Sequence, residues 1–128
     1  MLSRRAMLTA LPALALLAGR ADAFEFQPYD PAAVDKAIAS GKPVVVHVYA
    51  PWCLQCHMQK SILEGLATDK KYDGIAFFRV DYDNQKDIVA KFDCPRSTVI
   101  AFKGGKELGR MSWGMTQASV TDVLNKAL

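Results

Sequence analysis

The run Pro43-Val44-Val45-Val46-His47-Val48-Tyr49 restricts the fold more than any other stretch of the sequence. It is β-branched and lacks polar alternation, so it reads as a central strand buried on both faces. Through Ala50-Pro51 it leads into Trp52-Cys53-Leu54-Gln55-Cys56. From Cys53 to about Thr68 the apolar residues Met58, Ile62, Leu63 and Leu66 recur at steps of three and four, which is helical spacing. Two cysteines therefore stand at the N-terminus of a helix that a buried strand feeds.

Around this unit the pattern alternates. Asp30-Pro31 is an N-cap and first-turn pair, Val34, Ala37 and Ile38 form an apolar stripe, and Gly41 stands where a helix stops, which predicts a helix over 31–40. Ile75 to Val80 reads as a second strand, and Asp83 is expected to cap a short helix carrying Ile88, Val89 and Phe92. Thr98 to Phe102, Gly104-Gly105 and Glu107 to Trp113 read as a hairpin, and Thr116 can cap a closing helix with Val120, Val123, Leu124 and Leu128. Strands alternating with helices make this an α/β chain in which only the hairpin need be antiparallel. With 128 residues, 51% of them hydrophobic and 23% charged, there is material for a single domain and no second core.

Residues 1–23 read differently. Arg4 and Arg5 precede the apolar run Ala6 to Ala18, and Ala21-Asp22-Ala23 is a small-x-small cleavage site, the pattern of a cleavable secretory signal. Ser3-Arg4-Arg5-Ala6-Met7-Leu8 also resembles a twin-arginine signal. The expected location is periplasmic or otherwise extracytoplasmic, with the mature domain at 24–128. Removing residues 1–23 takes away Arg4, Arg5, Arg20 and Asp22, leaving 13 basic and 12 acidic residues, a net charge of +1. Such a scattered, nearly neutral charge set excludes a nucleic-acid footprint.

Three cysteines is an odd number for an exported domain, and the spacing of Cys53 and Cys56 is too tight for an ordinary framework staple. A thiolate attacks disulfides, and a helix N-terminus lowers a thiol's pKa, which suits Cys53 to nucleophilic attack. One helical turn later Cys56 can resolve the mixed disulfide from within the chain. Trp52 would shield the pair and offer an apolar surface to a partner. A structural disulfide or half a zinc site is the bland alternative, but no second CxxC or paired histidines follow at zinc spacing.

Val48-Tyr49-Ala50-Pro51-Trp52-Cys53-Leu54-Gln55-Cys56, Phe78-Arg79-Val80-Asp81 and Phe102-Lys103-Gly104-Gly105-Lys106-Glu107 resemble successive landmarks of the thioredoxin family. The resemblance covers residues 25 to 128. It implies the thioredoxin fold, a central mixed β-sheet flanked by helices, with Cys53 as exposed nucleophile and Cys56 as buried resolving thiol. It also implies disulfide exchange with protein substrates, with no cofactor beyond the Cys53-Cys56 pair and no metal. Because the large helical insertion of the oxidases is missing, reduction of partners is the expected direction. A reductase outside the cytoplasm then needs an electron donor, expected to be a membrane protein.

The sequence departs from that family in three places. Leu54-Gln55 replaces Gly-Pro between the cysteines, a determinant of the direction of electron flow. His47 stands where thioredoxins carry a buried Asp that assists proton transfer; an imidazole could serve as the base, and burial should keep it neutral. Ser97 occupies the position of the family's cis-proline, Pro95 lying two residues too early, and a cis bond before a non-proline residue costs about 3–4 kcal/mol, so the Arg96-Ser97 bond is expected trans. Trp52, Arg96, Ser97 and Thr98 are the expected partner contacts. Cys94, three residues before Ser97, is either a further redox thiol or a small apolar residue, and an iron-sulfur set completed by Cys94 or a second chain is a remote option.

Two readings of other classes compete. Cys53-Leu54-Gln55-Cys56-His57 also satisfies CxxCH, the attachment motif of c-type haem, although a Val-rich strand and a glycine hairpin do not suit a mainly helical cytochrome. A non-catalytic binding module on the same fold is the other, and the intact CxxC after Trp52 argues against it.

Overall fold

The structure, a computed structural model, describes residues 26–128; the expected signal at 1–23 lies outside the described residues. Strand β1 is Gln27–Pro28, helix α1 Pro31–Ala39, β2 Val44–Tyr49, α2 Leu54–Ala67, β3 Ala76–Asp81, α3 Lys86–Phe92, β4 Thr98–Lys103, β5 Lys106–Ser112 and α4 Gln117–Lys126, with a 3₁₀ turn at Lys70–Tyr72. The five strands form one sheet in the order β1-β3-β2-β4-β5. β1, β3 and β2 run parallel, and β4 is antiparallel both to β2 and to β5, so antiparallel pairing reaches one strand beyond the hairpin.

β2 is the centre, as its composition predicts: Val44 to Val48 are fully buried. Its side chains alternate between two cores. Val44, Val46 and Val48 join Val34, Phe78, Val80 and Ile88 beneath α1 and α3. Val45 joins Leu63, Phe77, Val99, Val120 and Leu124 beneath α2 and α4. His47 points to that second side and meets α2.

The helix ends follow from local chemistry. Asp30 caps α1 by accepting from Ala33 N at 3.2 Å, and Thr116 caps α4 through Ser119 N at 3.1 Å. Gly104 and Gly105 both have positive φ, 62° and 79°, as a two-residue type I′ hairpin turn requires. Asp83 does not cap α3. Its N-cap is Gln85, without a side-chain hydrogen bond, because the Asp81 carboxylate takes the Asp83 and Asn84 N–H groups instead, each at 3.2 Å. The stripe of α2 is also rotated from the predicted one: Cys56, Gln59, Leu63 and Leu66 face inward, and Met58 is exposed. The cysteine and glutamine thus occupy core positions that an apolar count passes over.

Candidate active site

Cys53 is the N-cap of α2, in extended backbone, and its Sγ accepts the Cys56 N–H at 3.2 Å. Cys56 lies fully buried one turn on, and its Sγ approaches the Val48 carbonyl at 3.9 Å. Both thiols are free. Burial raises the Cys53 thiol, but the hydrogen bonds from Cys56 and the nearby Arg96 guanidinium outweigh it, and the net displacement is downward. Burial pushes the Cys56 thiol up to about 11, and Cys53 adds to the rise. The two thiols of one motif are therefore driven apart, one toward thiolate and the other toward thiol.

Cys53 is less open than the resemblance implied, only 2% exposed. The long Arg96 side chain lies beside it, its guanidinium 4.6 Å from the Trp52 ring centre and 4.9 Å from that of Trp113. Trp52 is 58% exposed, and its indole N–H donates to both Asp83 carboxylate oxygens, at 2.9 and 3.1 Å. It forms a fixed surface wall and is no part of the core. Leu54, Met58, Trp113 and Met115 are exposed as well.

Beneath the cysteines runs a buried polar chain that no sequence motif announced. His47 Nε2 donates to Gln59 Oε1 at 3.0 Å, and the Gln59 amide donates to the Ser97 carbonyl at 3.1 Å and the Gly114 carbonyl at 2.8 Å. Gln59 thereby ties β2, α2, the Ser97 loop and the segment after β5 together. The signal that could have found it is its place three residues after Cys56, on the same helix face. With Nε2 bearing the proton, Nδ1 keeps a bare lone pair, buried and without a partner. Burial lowers the His47 pKa to about 3, with Arg79 adding to the fall and Gln59 opposing it. The imidazole is neutral, as expected from its place in the strand.

The loop opposite the cysteines differs from the expectation in what it exposes. No peptide among the described residues is cis. Ser97 and Thr98 are fully buried. Ser97 N donates to Val48 O at 2.9 Å, and the Thr98 hydroxyl is engaged with Pro95 O and Ser112 Oγ at 2.9 and 2.8 Å. Neither therefore offers a partner any surface; of the three residues, Arg96 alone does. Cys94 is half-buried in the cluster beneath α1 and α3, apart from the Ala50-Cys53-Cys56 cluster, and burial raises its thiol. It has the setting of a small apolar residue. Among the described residues no group of three or more His, Cys, Asp or Glu is placed to hold a metal. The CxxCH reading meets an obstacle in the same geometry: a haem thioether at Cys56 needs an accessible sulfur, and His57 Nε2 is held by the Pro51 carbonyl at 2.6 Å.

A family model described as Thioredoxin matches residues 25–126. Thioredoxin-2 of Saccharomyces cerevisiae is 39% identical over 79 residues, 60% of this chain and 74% of that protein. A thioredoxin of Staphylococcus haemolyticus is 34% identical over 96 residues, 73% of this chain and 89% of its own length. Among solved structures, Trxlp from Edwardsiella tarda superposes with a TM-score of 0.74 at 34% identity, over 78% of this chain and 98% of its own.

Proposed function

The chain belongs to the thioredoxin family of thiol-disulfide oxidoreductases, and from that premise we propose that it is an exported reductase of protein disulfides in which Cys53 attacks and Cys56 resolves. One observation carries the assignment of roles: the N-cap thiol is driven toward thiolate while the buried thiol one turn below is driven to about 11. Cys53 thiolate attacks a substrate disulfide, a mixed disulfide forms and the substrate's first thiolate leaves. Cys56 then loses its proton and attacks Cys53 Sγ, releasing the second substrate thiolate and closing the Cys53-Cys56 disulfide. Two electrons pass from the protein to the substrate, and an electron donor must return them.

The exposed Trp52 and the half-buried Arg96, beside Cys53, form the face on which a partner rests. His47 takes a restricted part in proton transfer. An imidazole whose conjugate acid lies at about 3 is a weak acceptor for a thiol near 11, so its main contribution is to orient Gln59, with Nδ1 open to a proton in passing. Export is supported by the Arg4-Arg5 end, the apolar run and Ala21-Asp22-Ala23, and it places the returning electrons with a membrane protein.

Titration of the purified protein against dithiothreitol and glutathione buffers tests the reading. A potential near about −270 mV supports a reductase, and one near about −120 mV makes the protein an oxidant of its partners. A pair that never exchanges sinks the proposal. The mass of the protein recovered from outside the cytoplasm tests export, since cleavage after Ala23 leaves a chain beginning at Phe24.

A further inference from the structure

Arg96 is a half-buried cation with no carboxylate against it: the ion pairs among the described residues are Lys60–Glu64 and Glu107–Arg110. Its Nε is buried without a hydrogen-bond partner. Two indole rings hold the guanidinium, Trp52 at 4.6 Å and Trp113 at 4.9 Å. Both walls are fastened. The carboxylate of Asp83, which touches this clamp, is spent on the Trp52 N–H. Trp113 has φ 69° and donates its N–H at 2.8 Å to the carbonyl of Ser97, itself at φ 62°. Left-handed backbone at a tryptophan persists only where its surroundings enforce it, and such positions gather at functional sites.

Trp52 immediately precedes Cys53 in the chain, so the same clamp sets the guanidinium beside the Cys53 thiol, whose ionised form its charge favours. Cys56 supplies no charge there, since its thiol stays protonated. We propose that Arg96, clamped between Trp52 and Trp113, is the counter-ion of the Cys53 thiolate and so favours the dithiol form over the disulfide. This rests on the oxidoreductase reading above and deepens it.

Reduction of the Cys53-Cys56 disulfide consumes two electrons from a dithiol donor and breaks the S–S bond. With Cys56 left as thiol and Cys53 as thiolate, it takes up one proton and creates one negative charge against Arg96. Oxidation removes that charge and leaves the guanidinium against the two ring faces with no thiolate opposite it. The charge pair exists in one redox state alone, so it shifts the equilibrium between them.

The test uses the full protein with Arg96→Met, which keeps an unbranched stem without charge, and Arg96→Lys, which keeps the charge without the planar fork. Thiolate ultraviolet absorbance against pH and a dithiothreitol redox titration are read for each. Arg96→Met should lower the thiolate fraction at a fixed pH and move the redox equilibrium toward the disulfide by on the order of tenfold, about 30 mV for this two-electron couple. Arg96→Lys should retain most of the thiolate. Unchanged thiolate and potential in Arg96→Met overturn the inference, and so does a Lys variant as depleted as the Met one, because packing rather than charge would then be responsible. A wild-type pair that never exchanges would instead remove the oxidoreductase reading beneath it.

Discussion

Acid should expose the cost of keeping His47 neutral. Its pKa of about 3 in the folded chain stands against 6.5 for an unperturbed imidazole. Between those values the unfolded state binds one more proton than the folded state, so stability rises with pH there and falls on acidification, by about 1.4 kcal/mol per pH unit for a single group. Going from pH 6 to pH 4 should therefore remove about 2.5 kcal/mol through His47 alone, a sizeable part of the 5–15 kcal/mol typical of a domain. The control is His47→Asn, which keeps a polar group near Gln59 and removes the titration. Asp81 and Glu107 have depressed pKa values, the first through Asn84 and the second through Arg110. Their contributions also fade as pH falls through those values, but they do so equally in both proteins and cancel in the difference. Urea unfolding of the reduced proteins across this range gives that difference directly. Parallel stability curves for wild type and His47→Asn would refute the reasoning, since they would mean that His47 binds protons in the folded chain as freely as in the unfolded one.

Cys53→Ser should abolish exchange, while Cys56→Ser should still attack and accumulate mixed disulfides with substrate, visible by mass spectrometry; equal loss without trapped species would contradict the division of roles. Alkylation mapped to Cys53 by mass spectrometry in the reduced protein should rise at a pH below that of an ordinary cysteine; a rise at the ordinary cysteine's pH would show that this thiol is not driven toward thiolate. Gln59→Leu leaves the Gly114 carbonyl and the His47 Nε2–H without their partner and the Ser97 carbonyl with the Trp113 N–H in place of two donors, so it should cost about 2–4 kcal/mol in urea unfolding, and a loss below about 0.5 kcal/mol would mean water fills the site. Ser97→Pro installs the family's residue but removes the N–H that donates to Val48 O and demands a φ of about −65° where the chain has 62°. It should destabilise by about 3 kcal/mol or more, and wild-type stability would show that the loop readily takes the other form.

What the sequence disclosed is what depends on one residue type at one spacing. A β-branched run without alternation could only be a doubly buried strand, and β2 is one; Asp30, Gly41 and Thr116 mark helix ends by chemistry that acts within a few residues. The active-site pair was legible because strand, tryptophan, cysteine and helix fall consecutively. Contacts between distant segments were not. Gln59 gains its importance from carbonyls at Ser97 and Gly114, 38 and 55 residues away in sequence, and nothing beside it marks it as more than a helical polar residue. Asp83 looked like a helix cap because a cap is the local use of an aspartate before a helix. Its actual partner is an indole 31 residues earlier.

Of the three departures from the family, the one at Ser97 reshapes a whole loop, again through contacts between distant segments. A proline at position 97 has no N–H to give, so the bond from Ser97 N to Val48 O exists only because the residue changed. Val48 O is also the carbonyl that Cys56 Sγ approaches at 3.9 Å, which ties the loop to β2 at the level of the buried thiol. From that anchor the backbone turns through left-handed conformations at Ser97 and Trp113. Each costs on the order of 1–3 kcal/mol, offset by the bonds that Ser97 N and O make to Val48, Trp113 and Gln59. The product of that expenditure is the position of one side chain: Arg96 laid between two indoles against Cys53. A loop that in relatives presents a proline to the cysteines here presents a positive charge. Since a thiolate responds to charge more strongly than to shape, the substitution alters the chemistry of Cys53 while leaving the sheet beneath it in the family's arrangement.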